Sequence, residues 1–184
     1  WAYTGNTGVW AQISVDLEAG LAYLPVELPT HDYYGGQRPG NNLFSESLVA
    51  VDLQSGARKW HFQFVHHGVW DMDIPCAPIL ADVVIDGRLR KIVAQPTKQA
   101  FLYVFDRITG APIWPIVEQP VPQGDVPGEH YARTQPIPSK PPAYDRQGFA
   151  VDDLIDFTPA LRQQGEAAIT NYRIGPIFTP PSLS

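Results

Sequence analysis

The sequence predicts an all-β protein made of antiparallel sheets repeated around an axis, in the manner of a propeller. Two observations carry this. First, Ser47-Leu48-Val49-Ala50-Val51-Asp52 runs on through Gly56 to Trp60, and Phe101-Leu102-Tyr103-Val104-Phe105-Asp106 runs on through Gly110 to Trp114. Asp, Gly and Trp recur at an offset of 54 residues in all three places. Second, Asp followed by Ser/Thr-Gly is turn chemistry, so each unit reads as strand, tight turn, strand.

The first unit, ending at Trp60, and the second, ending at Trp114, would place an indole between neighbouring sheets, which is how blades stack. A third, weaker echo runs from Val15-Asp16 through Gly20 to Tyr23. Blades take about 40–45 residues, so the longer period implies a blade plus an inserted loop. The competing reading, two unrelated hairpins with common turn residues, has three matched positions to explain. From 118–142 the chain holds Pro120, Pro122, Pro127, Pro136, Pro138, Pro141 and Pro142. This predicts an extended connection without regular sheet or helix. A helical insertion follows over 152–174, with Thr158 as N-cap, Pro159 at the first helical position, a run to about Tyr172 and closure at Gly175.

Composition narrows the function. The 184 residues carry 19 acids against 13 bases, a net charge of −6, with only four lysines and no basic run. Nucleic-acid binding, which needs a phosphate-neutralising patch, is a poor fit. One cysteine, Cys76, leaves no internal disulfide or Cys-rich zinc module. No apolar run approaches the ~20 residues of a membrane span. The chain opens on Trp1 and closes on Ser184 without a capping tail, and reads as an excerpt of a longer polypeptide. Cut from a ring, such an excerpt would expose sheet edges and is expected to be poorly soluble or inactive alone.

Three places hold candidate chemistry. His61 to Asp73 contains His61, His66, His67, Asp71 and Asp73, but no His-Glu-x-x-His, and adjacent His66 and His67 would face opposite ways on a strand. Asp71 after Trp70 is either a carboxylate on a loop held against an aromatic wall or the cap of a turn. Lys98 sits between two apolar strands in a lysine-poor protein; it either pairs with an anion, a carbonyl or a ligand, or reaches solvent at a strand end. Trp10, after a Gly-rich run and before a strand, is either a platform at a loop mouth or a core residue.

Taken in order, these stretches resemble the pyrroloquinoline-quinone (PQQ)-dependent dehydrogenases, specifically the quinoprotein glucose dehydrogenase-like branch. The resemblance rests on Trp1-Ala2-Tyr3-Thr4-Gly5-Asn6, Asp32-Tyr33-Tyr34-Gly35-Gly36, Arg38-Pro39-Gly40 and Asn42-Leu43-Phe44. It continues with Trp60 to Gln63, His66-His67, Trp70-Asp71, Thr97-Lys98-Gln99, Val104 to Arg107 and Trp114-Pro115-Ile116. Asp125 to Glu129 and Thr134-Gln135-Pro136 extend it into the Pro-rich stretch.

The resemblance implies part of an eight-bladed β-propeller, about three to four blades' worth, with residues 1–184 a segment of a single propeller domain. PQQ would lie on the axis beside a divalent cation, usually Ca2+. Asp71 matches the general base and a metal neighbour, Lys98 the residue that binds the quinone oxygens, and Trp10 the floor under the cofactor ring. The family pattern has a metal-binding Asn in a Thr-Gly-Asn after the Tyr-x-Pro strand. Here Tyr23-Leu24-Pro25 is followed by Val26-Glu27-Leu28, and Glu27 is expected to offer a charged oxygen in its place, which Ca2+ accepts. His31 stands where the pattern has Asn. The implied activity is oxidation of a sugar or alcohol hydroxyl, with electrons passed to a quinone or cytochrome. The implied location is the periplasm or the periplasmic face of the inner membrane, with any membrane anchor outside this segment. A propeller that only binds, as a scaffold, shares the Asp, Gly and Trp units; what separates the two is the joint presence of Trp10, Asp71 and Lys98.

Overall fold

Alternating turn signals and apolar runs build two blade-sized antiparallel sheets, seen in a computed structural model that describes residues 7–183. The first sheet joins β1 (Ser14–Asp16), β2 (Leu21–Val26), β3 (Ser47–Asp52) and β4 (Arg58–Gln63) in the order β1-β2-β3-β4. The second joins β5 (Ile79–Ile85), β6 (Arg88–Pro96) and β7 (Leu102–Asp106) in the order β5-β6-β7. Its fourth strand is only begun, by a bridge between Phe105 and Pro112 and a bond from Ile113 N to Val104 O (2.9 Å).

The repeated turns are alike in atomic detail. Asp52 Oδ1 accepts from Gln54 N, Ser55 N and Ser55 Oγ; Asp106 Oδ1 accepts from Ile108 N, Thr109 N and Thr109 Oγ1. Gly56 and Gly110 close these turns at φ 70° and 72°, a region that L side chains enter at a cost. The weaker echo is real as well: Asp16 Oδ1 accepts from Ala19 N (3.0 Å), and Gly20 has φ 66°.

One core lies between the sheets. Tyr23, Leu48, Ala50 and Trp60 of the first pack against Val93, Tyr103 and Phe105 of the second. Trp60 is centred 5.9 Å from both the Tyr23 and Phe105 rings. Its indole Nε1 donates to Arg107 O (3.3 Å), which also accepts from Tyr23 Oη (2.8 Å). Burial, with Asp16 nearby, pushes the Tyr23 phenol up to about 12, so it remains a donor at any physiological pH.

Because every strand is antiparallel to its neighbour, the connections divide between two ends. The Asp-Gly turns lie at one end. The β2–β3 loop, the β4–β5 loop and the β6–β7 turn all lie at the other, so Glu27, Asp71 and Lys98 emerge from the same end.

Three expectations need correction. The 118–142 stretch is not free of sheet: β8 (Ile116–Pro120) pairs with β9 (Thr134–Pro138) as a two-stranded ribbon. Val121 N bonds Arg133 O and Ser139 N bonds Pro115 O, so the ladder bonds fall on the odd-numbered residues. Pro120, Pro136 and Pro138 occupy the alternate pairs, where no N–H is needed. The 152–174 insertion holds a 3₁₀ turn (Val151–Asp153) and one helix, α1 (Pro159–Ile169), which stops short of Tyr172. Thr158 caps it as expected, accepting from Leu161 N (3.2 Å), but Gly175 instead receives a bond from Phe149 N. Finally, two blade-sized sheets form among the described residues rather than three to four, since 116–183 goes into the ribbon, the helix and loops.

The contact between blades can be tested with a pair of glycines. A Cβ on Gly110 would lie 2.6 Å from Trp60 Cδ2, whereas one on Gly56 meets nothing within 4 Å. Gly56→Ala should cost about 1–2 kcal/mol for the left-handed backbone alone. Gly110→Ala should cost about 1–3 kcal/mol more, because the indole is displaced. Denaturant titration of the two variants checks this; equal losses would mean that the indole yields freely.

Candidate functional site

The β4–β5 loop, residues 64–78, is anchored by the buried Phe64, Val65, Val69 and Ile74. Two residues on it have left-handed backbones, His67 (φ 47°) and Asp71 (φ 52°). Neither is glycine, so the conformation persists only because its surroundings hold it. Arg38, 3% exposed, donates to Gly68 O (2.8 Å) and to Asn42 Oδ1 (2.7 Å). The Trp70 indole donates to Thr179 O (2.9 Å) and meets the Phe178 ring edge-on.

Asp71 and Lys98 meet here, although 27 residues and a blade boundary separate them. Lys98 Nζ donates to Asp71 O (2.9 Å) and lies 3.4 Å from Asp71 Oδ1 and 3.7 Å from Asp73 Oδ2. Both reach solvent, with 42% of the Asp71 side chain and 34% of that of Lys98 exposed. Lys98 therefore bonds a carbonyl and an anion while also being exposed, which unites the two readings of it. Asp71 is a loop carboxylate rather than a turn cap.

The same end gathers the other candidates. Asp73 Oδ1 accepts from Leu28 N (2.8 Å), which ties the loop to the strand end that carries Glu27. Glu27 N donates to Gly8 O (3.0 Å), and a Cβ on Gly8 would stand 2.9 Å from Glu27 Oε1. Trp10 follows two residues on and is 57% exposed, so it is not buried in a core among the described residues. Among the described residues no three His, Cys, Asp or Glu side chains form a cluster able to hold a metal ion. Glu27 and Asp71 are thus two separate carboxylates at one end of the molecule. The Thr4-Gly5-Asn6 stretch lies outside the described residues. His31 has φ 78°, a left-handed conformation that His tolerates better than most residues.

Residue type alone did not single out the layer beneath. Glu46 is fully buried, and neither of its carboxyl oxygens has a hydrogen-bond partner. It lies under Gly68: a Cβ there would collide with the Glu46 carboxyl, so only glycine fits. Burial pushes the Glu46 carboxyl well above the usual carboxylate range; Asp73 and Asp71 add to this, while Arg38 and Lys98 oppose it. A second buried pair is His67 and Glu129, 3.0 Å apart and 2% and 1% exposed. Glu129 also accepts from Gly35 N (2.5 Å) and His130 N (2.7 Å), and His67 Nδ1 faces Gly40 O (2.7 Å). An acid at the head of a buried strand, Ser45-Glu46-Ser47-Leu48, was the one visible signal for Glu46.

Comparison with known proteins supplies the deciding observation. Residues 1–184 match the family described as PQQ: Glucose/ethanol/alcohol dehydrogenase, beta-propeller domain. The chain belongs to this family. It is 42% identical over 186 aligned residues to a quinoprotein glucose dehydrogenase of Gluconobacter oxydans, covering 95% of this chain and 22% of the relative. It is 32% identical over 178 residues to a quinate/shikimate dehydrogenase (quinone) of Acinetobacter baylyi, covering 96% of this chain and 22% of that protein. Among solved structures it resembles a quinohemoprotein alcohol dehydrogenase of Pseudomonas putida, with TM-score 0.56 and 31% identity over 73% of this chain and 20% of the other. The chain thus spans about a fifth of the length of these relatives.

The residues present suit the cofactor that names the family. An exposed flat indole and an ammonium group held at an open rim are what a planar, anionic quinone would need.

The buried carboxyl makes a pH prediction. The folded state keeps the Glu46 proton to higher pH than the unfolded chain does. Stability from this group is therefore complete below the ordinary carboxylate range and is lost as pH rises through it toward the folded value. Glu46→Gln cannot ionise, so its melting temperature should gain on the parent as pH rises from about 4 to 8. The gain should be several degrees, at roughly 2–4 °C per kcal/mol. Parallel curves would show that Glu46 titrates in the folded protein as it does in the unfolded chain.

Proposed function

We propose that the chain is part of an oxidoreductase that oxidises a hydroxyl group of a sugar or alcohol with PQQ as the acceptor. The electrons then pass to a quinone or a cytochrome. The observation that carries the reading is the pairing of Asp71 with Lys98 across the blade boundary, at the loop end to which the segment before the exposed Trp10 is also tied, by Glu27 N to Gly8 O. The relatives' names support the substrate class: glucose, quinate or shikimate, and alcohols are all hydroxyl donors. They support the acceptor class as well, one naming a quinone and another a quinohemoprotein.

PQQ, when bound, supplies the electrophilic carbonyl that takes up the hydride equivalent. Asp71 does the proton chemistry. Its carboxylate reaches solvent, so a substrate hydroxyl can approach it and give up its proton there. Lys98 keeps Asp71 in place through the main-chain carbonyl and leaves part of its ammonium group free to face an anionic oxygen. Trp10 offers its ring face for stacking. Asp71 and Glu27 would hold the cation, Ca2+ by the preference of oxygen ligands.

The full-length protein, stripped of cofactor and reloaded with PQQ and Ca2+, should reduce a redox dye with glucose or a simple alcohol. Asp71→Asn should lower kcat about 10²–10⁴-fold and leave PQQ binding largely intact. Full activity in Asp71→Asn would remove it as the proton acceptor. If neither PQQ nor sugar raises the melting temperature, the propeller is a scaffold.

A further inference from the structure

Gln135 lies on β9 in the Pro-rich ribbon, is fully buried, and commits both ends of its amide to one residue of the β4–β5 loop. Its Oε1 accepts from His66 N (2.8 Å), and its Nε2 donates to His66 O (2.7 Å). The ribbon makes a third bond to the same residue, with Glu118 Oε1 accepting from the His66 ring Nε2 (3.0 Å).

The consequence lies in the next peptide. The carbonyl of His66 and the N–H of His67 belong to one planar unit. Gln135 holds the carbonyl side, and Asn41 O accepts the N–H (3.1 Å). Fixing that plane at both poles sets φ of His67, the left-handed residue that turns the loop. Asp71 lies only five residues beyond His66, and its own backbone is also left-handed. A change in the first turn therefore carries into the direction in which Asp71 meets Lys98.

We propose that Gln135 is a positioning residue for Asp71: it fixes the His66–His67 peptide and thereby holds the carboxylate against Lys98. The Pro-rich ribbon, which carries none of the reacting groups, becomes part of the catalytic apparatus. The inference rests on the reading of Asp71 as proton acceptor. An amide suits the task because one end accepts and the other donates. Glutamate would set a carboxylate oxygen against the His66 carbonyl, and methionine would fill the space with neither bond.

Gln135→Met and Gln135→Glu in the full-length protein test this. In the cofactor-free state, amides of residues 64–73 should exchange with deuterium about tenfold faster in both variants, while β3 and β7 remain as in the parent. With PQQ and Ca2+, kcat should fall about 10–100-fold, and KM and the PQQ dissociation constant should change less than about threefold. A folded variant with a loosened loop but unchanged kcat would reduce Gln135 to a tie between ribbon and blades, and unchanged exchange would show that it holds nothing. If Gln135→Met does not fold, Gln135→Glu, which keeps the bond to His66 N, carries the same comparison. A parent protein without dehydrogenase activity would overturn the Asp71 reading and the positioning role with it, whereas the exchange result would still decide whether the clamp exists.

Discussion

The indole of Trp60 against the bare Cα of Gly110 is the contact on which the arrangement depends. It lets the indole of the first sheet lie directly on the turn of the second, where a side chain would displace it. Two donors from the first sheet, Tyr23 and Trp60, then reach a single carbonyl, that of Arg107, at the start of the same turn. The Arg107 side chain reaches back to Asp16 (2.6 Å) and to Asp82 (2.8 Å), so charge and packing act at one place. With the turn end fixed, the relative position of the loops at the other end is fixed too. That is how Asp71, from the connection between sheets, comes to lie beside Lys98, from the hairpin of the second.

The two ends solve different problems. At the turn end, short local hydrogen bonds from Asp52 and Asp106 satisfy the backbone, and the buried Asp16 and Arg107 pair with each other. At the loop end, long connections must be held in strained shapes, and the protein does this with buried polar groups: Arg38, Glu46, His67, Glu129 and Gln135. Buried polar groups are costly unless paired, and most of these are paired. Glu46 is the exception: neither carboxyl oxygen has a partner, and burial pushes it well above the usual carboxylate range. This places the most expensive interior chemistry directly beneath the residues that would meet a substrate.

What was legible in the sequence follows from the range of each interaction. The Asp, Gly and Trp units could be read because turn chemistry is complete within five residues. Asp71, Lys98 and Trp10 stood out by type against their surroundings, and the structure brings the first two together. The ribbon was misread because counting prolines ignores which pairs of a ladder need an N–H; Pro120, Pro136 and Pro138 all fall on pairs that do not. Gln135 was unreadable as a functional residue, since its partner is 69 residues away and an amide carries no charge to attract notice. Arg38 and Glu46 were hidden for the same reason: their meaning lies in what covers them.

The division between ends also explains how one scaffold could serve relatives with different substrates. Their names span a sugar, a cyclic hydroxy acid and alcohols. The Asp-Gly turns lie at the opposite end, so exposed loop residues can change without disturbing them, whereas Phe64, Val65, Ile74 and Phe101 of the loop end belong to the core between the sheets. Asp71 is reached through a loop pinned by Arg38, Gln135 and Thr179, which come from three distant parts of the chain. Its direction is thus a property of the packed whole rather than of its own segment. A site of this kind tolerates variation at the rim, where substrates differ, and resists it in the layer below, where the carboxylate is aimed.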